Sequence, residues 1–152
     1  MSLIEREIRT SDLDLICHHR FEMFRDIGEP LDKIEAMIVE FRKWLNPRLH
    51  SGEYFGFVLE ENGKPAGGIG LAIIDWAPHV LHPKEHLRGY ISNVYVEHHC
   101  RRQGIASRLM ELGEAELKKR GATLIVLHAS DAGREIYDKT GWRQSSEMIK
   151  NV

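Results

Sequence analysis

The segment VYVEHHCRRQGIAS, residues 94–107, joins three β-forming residues to a basic turn and then to a helical pattern. Val94, Tyr95 and Val96 favour a strand, and the backbone must turn sharply at Arg101, Arg102, Gln103, Gly104, Ile105 and Ala106 before the helix begins near Ile105. The first N–H groups of a helix have no partner within it and lie at the positive end of its dipole. Such a turn suits a phosphate or diphosphate, with Arg101 and Arg102 adding charge and Gly104 letting an anion approach the backbone. The chemistry expected here is therefore anion binding, with donors from Gln103 to Ser107.

Further downstream, Ser130-Asp131-Ala132-Gly133 precedes a helical stretch carrying Tyr137, and Gly141-Trp142 follows it. A phenol with a pKa of about 10 is protonated at neutral pH, so Tyr137 is suited to donating a proton. The acids and bases around the turn are Glu97 at the end of the strand and the histidines His79, His82, His86, His98 and His99. Tyr90, Ser92 and Asn93 are placed to hold a water between such groups. The nine histidines fit no standard metal-ligand spacing, so no metal is expected. Cys17 and Cys100 read as free thiols, Cys100 beside Arg101 being the one whose position favours a lowered pKa.

The elements that position these residues follow from periodicity. Ile4 to Arg9 reads as an edge strand, with Ser11 or Asp12 capping a helix that runs from Leu13 to about Gly28. A second helix is expected from Leu31 to Leu45, ending near Asn46-Pro47. Tyr54–Leu59 and Pro65–Ile74, joined through Asn62-Gly63, form a hairpin, and Trp76 to Arg88 reads as a loop. The strand Tyr90–Val96, the helix Ile105–Arg120 and the buried strand Leu124–Leu127 make a right-handed parallel crossover, which sets the anion turn at the ligand-binding edge of the sheet. A helix from about Asp131 to Lys139 and a closing strand within Trp142–Ile149 complete the chain. That closing strand, exposed at the sheet's edge, is able to pair with a second copy, so a homodimer is one state the sequence allows.

Composition bounds the rest. A length of 152 residues with 42% hydrophobic and 29% charged side chains fits one soluble domain. A net charge of −2 gives no global attraction for nucleic acid, so the arginines form a local site. No apolar run reaches the ~18 residues of a membrane span and the first residues lack a signal-peptide core, so a cytoplasmic protein is expected, without membrane partners.

The turn Arg101-x-x-Gly104-x-Ala106 after its strand, together with Ser130 to Trp142, resembles the two acetyl-CoA signatures of the GNAT acetyltransferase superfamily. The resemblance covers nearly the whole chain, departing where Ser130 stands for the usual Asn and Gly133 for the usual Ala. It implies a single α/β GNAT domain over residues 1–152, a mixed twisted sheet of six to seven strands flanked by about four helices. It further implies an acetyl-CoA-dependent N-acetyltransferase, moving acetyl to a primary amine of a small molecule or peptide by direct attack in a ternary complex. On that resemblance the diphosphate lies on residues 101–107, the pantetheine arm along Val94–Val96, and an N–H of Tyr95 or Val96 meets the thioester oxygen. Ser130 would meet a cofactor amide, Tyr137 would be the general acid, and Glu97 is the candidate base. The end of the first helix (Phe24, with Glu29 after it) and Trp76 would wall the acceptor pocket, with Glu29 and Asp75 suiting a cationic amine. The alternatives are a different acyl chain or acceptor, a non-catalytic acyl-CoA-binding module, and a site for another nucleotide, the last disfavoured by the lack of a Lys-Ser/Thr pair after Gly104.

Overall fold

The computed structural model describes residues 2–152. Strand β1 (Leu3–Glu7) leads through a 3₁₀ turn, Thr10–Asp12, into helix α1 (Leu13–Asp26) and then α2 (Leu31–Ser51). Strands β2 (Phe55–Glu61), β3 (Lys64–Asp75) and β4 (Leu87–Val96) follow, then a second 3₁₀ turn, His98–Cys100, and helix α3 (Ile105–Lys119). Strand β5 (Leu124–Leu127) and helix α4 (Asp131–Lys139) end the regular structure. The strands lie in sequence order, antiparallel from β1 to β4, with β5 parallel to β4. No described helix is long and apolar enough to cross a membrane.

Strand alternation divides the core into two layers. On one face α3 lays Ile105, Leu109 and Leu117 against Leu59, Ile69, Leu71 and Ile91, all nearly fully buried. The stripe is apolar every third or fourth residue, with Gly113 where a side chain would strike Ile69 Cδ1 at 2.6 Å. On the other face α1 and α2 enclose Ile16, Cys17, Phe41, Leu45, Leu49 and Tyr54. Tyr54 lies so close beneath β3 that a Cβ on Gly70 would meet its hydroxyl at 1.7 Å, so this strand position requires glycine.

Three expectations are corrected. Among the described residues the sheet has five strands rather than six or seven: residues 142–149 form no strand and instead line, with β5, a common cavity. Helix α2 continues through Pro47 to Ser51 and ends at Gly52 in the left-handed conformation, φ +80°. Pro47 removes one N–H donor, but Leu45 and Leu49, one turn apart and both buried, hold the helix to the core across it. Asp12 precedes α1, yet its carboxylate caps no α1 N–H and instead accepts from Arg9 N at 2.7 Å and from both terminal nitrogens of Arg6.

Candidate active site

The register of β4 is the first determinant of the site. Gly70 pairs with Asn93 and Leu71 with Ile91, so Ser92 is an extra residue, a β-bulge in β4. The bulge re-aims the strand: Ile91 and Val94 both pack on the α3 side, while Asn93 and Tyr95 turn toward α1. β4 and β5 pair only from Arg88/Leu124 to Ile91/Leu127. Residues 92–96 therefore run on with no strand beside them on that flank.

Which peptide groups face the opening follows from alternation. Glu97 N–H donates to Ala66 O at 2.8 Å, toward β3, so Tyr95 and Asn93 also direct their peptide groups to β3. Those of Val94 and Val96 face the open flank, and the Val96 carbonyl there accepts from Arg101 Nε at 2.9 Å. Of the two N–H groups expected from sequence, that of Tyr95 belongs to the β3 ladder and that of Val96 is free.

Beyond β4 the turn takes two left-handed residues, Arg102 at φ +63° and Gly104 at φ +79°. Gly104 is the N-cap of α3, no side chain caps that helix, and its first turn carries no acid. Arg108 N donates to Gly104 O as the helix opens, which leaves the N–H groups of Ile105, Ala106 and Ser107 without intrahelical acceptors. A Cβ on Gly104 would meet nothing within 4 Å, so the space in front of the turn is open. Free donors, a helix dipole and open space fit a diphosphate.

The two arginines of the turn differ. Arg101 Nη2 lies 2.6 Å from Asp26 Oδ2, and its guanidinium sits 5.4 Å from the Tyr95 ring centre. Burial pushes the Asp26 carboxyl up, but the hydrogen bond from Arg101 and His98 nearby outweigh it, and its pKa ends below the usual range. Arg101 thus braces the turn against α1 rather than supplying mobile charge, and Arg102, exposed and without an ion pair among the described residues, keeps that role. Asp26, His98 and Glu22 also bring their ligand-type atoms within 4.8 Å of one another, with both Asp26 oxygens taken by Arg101 and His98.

Glu97 is drawn into a cluster that the sequence did not reveal. His18 Nε2 lies 3.0 Å and His19 Nε2 3.5 Å from Glu97 Oε1. His18 is half exposed, while His19 is buried against the Tyr95 ring at 5.2 Å. Burial pushes the His19 pKa down to about 4 against the pull of Glu97, so this imidazole is neutral at pH 7. Behind the bulge, Arg20 donates from Nη1 to Asn93 Oδ1 at 2.7 Å, and Asn93 Nδ2 donates to the buried Tyr54 hydroxyl at 3.2 Å. The Arg20 guanidinium lies 4.5 Å from the Phe41 ring and 5.2 Å from Phe24, the residue expected on the acceptor wall.

The remaining predicted residues scatter. Trp76 packs under Arg88, 4.2 Å from its guanidinium, and Asp75 Oδ1 lies 2.9 Å from His86 Nδ1. Glu29 is exposed in the α1–α2 linker, where its N–H donates to Phe24 O. His79 and His82 stack on each other, and His82 Nδ1 meets Glu85 O at 3.0 Å, so these histidines order their own loop. Cys100 is buried and its thiol is pushed up by burial and by Glu61, the opposite of an activated thiolate.

Ser130 caps α4: its Oγ accepts from Gly133 N at 3.2 Å, leaving the hydroxyl hydrogen to donate elsewhere. Tyr137 is half-buried, edge-on to Trp142 at 5.9 Å, and burial raises its pKa. The room left by Gly133 is taken by the Tyr137 ring, whose Cε2 would lie 3.2 Å from an added Cβ. Tyr137, Tyr90 and His128 share a cavity of about 360 Å³ beside β5, and Tyr90 and His128 meet edge-on at 5.8 Å. His128 was not singled out from the sequence, although its place directly after β5, at the ligand edge of a parallel pair, was the available signal.

Comparison with known proteins settles the lineage of this arrangement. Residues 15–142 match the family model described as "Acetyltransferase (GNAT) family". The chain belongs to the GNAT acetyltransferase family. It is an acetyl-CoA-dependent N-acetyltransferase. A GCN5-related N-acetyltransferase from Ralstonia eutropha JMP134 is 44% identical, with 99% of each chain covered and a TM-score of 0.97. A predicted acetyltransferase from Clostridium acetobutylicum, solved with acetyl-CoA, is 28% identical over 99% of this chain and 96% of its own, with a TM-score of 0.86. The aminoglycoside N-acetyltransferase AAC(6')-Iy, solved with CoA, shares the fold at 15% identity and a TM-score of 0.69, covering 99% of this chain and 94% of its own. No curated protein matches the chain at a significant level.

Proposed function

We propose that the enzyme transfers acetyl from acetyl-CoA to a primary amine by direct attack within a ternary complex. The observation that carries this reading is the parting of β4 from β5 after Ile91. It leaves the Val96 N–H without a strand partner on that flank, a few residues before the uncapped N-terminus of α3. Acetyl-CoA supplies an activated thioester; every other requirement falls to residues of this chain.

The N–H groups of Ile105, Ala106 and Ser107, with the Arg102 guanidinium, hold the diphosphate. The open flank of Val94–Val96 receives the amides of the pantetheine arm as a neighbouring strand would, and Ser130 donates its free hydroxyl hydrogen to the same arm. Val96 N–H points at the thioester oxygen and stabilises the charge that develops there, a donor of the kind whose removal costs about 3–4 kcal/mol in other enzymes. Tyr137, a phenol already protonated at neutral pH and kept so by burial, gives a proton to the departing sulfur. Glu97 takes the proton of the attacking amine, and His18, half exposed and 3.0 Å away, passes it to water. Phe24, beside the Arg20 guanidinium that reaches β4, marks the acceptor side.

The test is release of CoA thiol from acetyl-CoA with a panel of small primary amines and peptides. Amine-dependent turnover supports the reading. Tight CoA binding with no amine raising turnover above hydrolysis refutes it in favour of a binding module.

A further inference from the structure

Helix α1 carries three acids, and each has a cation of its own. Asp14 Oδ1 lies 2.6 Å from Arg42 Nη1, Glu22 Oε2 2.7 Å from Arg25 Nη2, and Asp26 Oδ2 2.6 Å from Arg101 Nη2. Arg20, on the same helix, forms no ion pair among the described residues, and its Nε is buried without a hydrogen-bond partner. The titratable groups near enough to act on its charge are Tyr54, Tyr90 and Cys17. Burial pushes the pKa of each of the three up, so all are neutral at pH 7. Burial also lowers the pKa of Arg20 itself, yet a guanidinium remains protonated at pH 7. The fold therefore keeps a partly buried positive charge that none of its own carboxylates balances.

This cation is held and aimed. Its Nη1 donates to Asn93 Oδ1 at 2.7 Å, and Asn93, 4% exposed, is fixed in turn by the bond from its Nδ2 to the Tyr54 hydroxyl. Asn93 follows the bulge at Ser92 and stands three residues before Val96, where β4 has no strand beside it. Tyr90, one of the phenols near Arg20, lines the cavity that Tyr137 also lines. Arg20 thus stands on the acceptor side of β4. The acids expected on that side are engaged elsewhere, Asp75 with His86 and Glu29 in the exposed linker.

We propose that Arg20 binds a carboxylate of the acceptor, so that the amine acetylated belongs to a small amino acid rather than to a polyamine. This rests on the reading of β4 and Tyr137 as the site of acetyl transfer. The planar fork of a guanidinium matches the two oxygens of a carboxylate, and the Phe24 and Phe41 rings that flank it weaken competition from water. One positive charge is balanced by one carboxylate, whereas a phosphate dianion would be only half neutralised.

Matched pairs of acceptors test this: glycine, β-alanine, γ-aminobutyrate, ε-aminocaproate and phenylalanine, each against its own primary amide. Two readouts are taken, thiol release from acetyl-CoA and calorimetric titration of the acceptor into the enzyme–CoA complex. In at least one pair the carboxylate is expected to exceed its amide by about tenfold or more, both in kcat/KM and in affinity. Arg20→Gln should bring that ratio close to one, through KM rather than kcat, and Arg20→Lys should restore only part of it. The wild-type pairs require no substitution, so a variant that fails to fold leaves the comparison intact. If no amine is acetylated, the proposed function falls, and the titration alone decides the role of Arg20. Absence of a carboxylate preference in every pair overturns the proposal, and so does a preference that survives in a folded Arg20→Gln.

Discussion

Arg101 Nη2 and Asp26 Oδ2 stand 2.6 Å apart, joining the anion turn to the end of α1 across 75 positions of sequence. Their side chains are 38% and 26% exposed, so solvent screens the pair and its worth is at most about 1 kcal/mol. Arg101→Ala and Asp26→Asn are therefore each expected to weaken CoA binding by no more than about fivefold, with the double variant little worse than either single one. Arg102→Ala, removing the uncommitted cation, should cost more and should flatten the salt dependence of binding. Calorimetric titration of CoA at two ionic strengths reads both effects. A hundredfold loss from Arg101→Ala would mean that its guanidinium leaves Asp26 to contact the ligand.

At Gly104 strain and obstruction are separable. Valine at φ +79° costs about 1–2 kcal/mol in backbone strain, which in a domain of this size lowers Tm by roughly 3–6 °C. The added Cβ itself meets no heavy atom within 4 Å apart from the chain neighbours. Its larger effect should fall on CoA, with affinity reduced more than tenfold. Gly104→Asn tolerates the left-handed backbone better, so it should recover most of the stability and little of the binding. Intact CoA affinity in Gly104→Val would remove the turn from the binding site.

Tyr137→Phe retains the ring against Trp142 and deletes only the hydroxyl. The expected outcome is a fall in kcat of about 10²-fold with an unchanged Tm and a nearly unchanged KM. Because burial raises the phenol's pKa, the wild-type enzyme should not lose its acid as pH rises through 9. Stopped-flow or steady-state thiol release over pH 6–10 decides this, and a kcat equal to wild type throughout would end the assignment of Tyr137 as acid.

What the sequence disclosed was set by local chemistry. The bounds of β5 and α4 and the start of α3 at Ile105 were readable, because caps, turns and helical stripes are encoded within a few residues, whereas Gly104 was read for the close approach it allows and its left-handed backbone came from the structure. Ser130 was legible as a polar residue at a special position, but its role as an α4 cap required the geometry of Gly133 N. The commitment of Arg101 to Asp26, the histidines around Glu97 and the Arg20-Asn93-Tyr54 chain join positions 39 to 79 residues apart, and no spacing rule links them. The tail was misread for a related reason. Residues 142–149 were read as a strand from their place after α4, but a strand exists only where a partner edge pairs with it, and among the described residues they pair with none.

The buried neutral imidazole of His19 makes stability depend on pH. Its pKa is pushed down to about 4 in the fold, against about 6.5 in the unfolded chain. Between those values the unfolded state binds a proton that the folded state declines, so unfolding is favoured as pH falls. The contribution of His19 to stability is therefore fully present above pH 6.5, declines as pH falls toward 4, and changes no further below. A shift of this size corresponds to roughly 3 kcal/mol. Other carboxylates titrate in the same range, so the measurement is a difference: urea unfolding of the wild type and of His19→Gln at pH 7.5 and pH 4.5. The variant should be less stable at pH 7.5, where it loses the packing of the ring against Tyr95 and Gly68, and the gap should narrow or reverse at pH 4.5. A gap that stays constant across this interval would mean that the His19 ring accepts its proton inside the fold, with Glu97 close enough to hold it there.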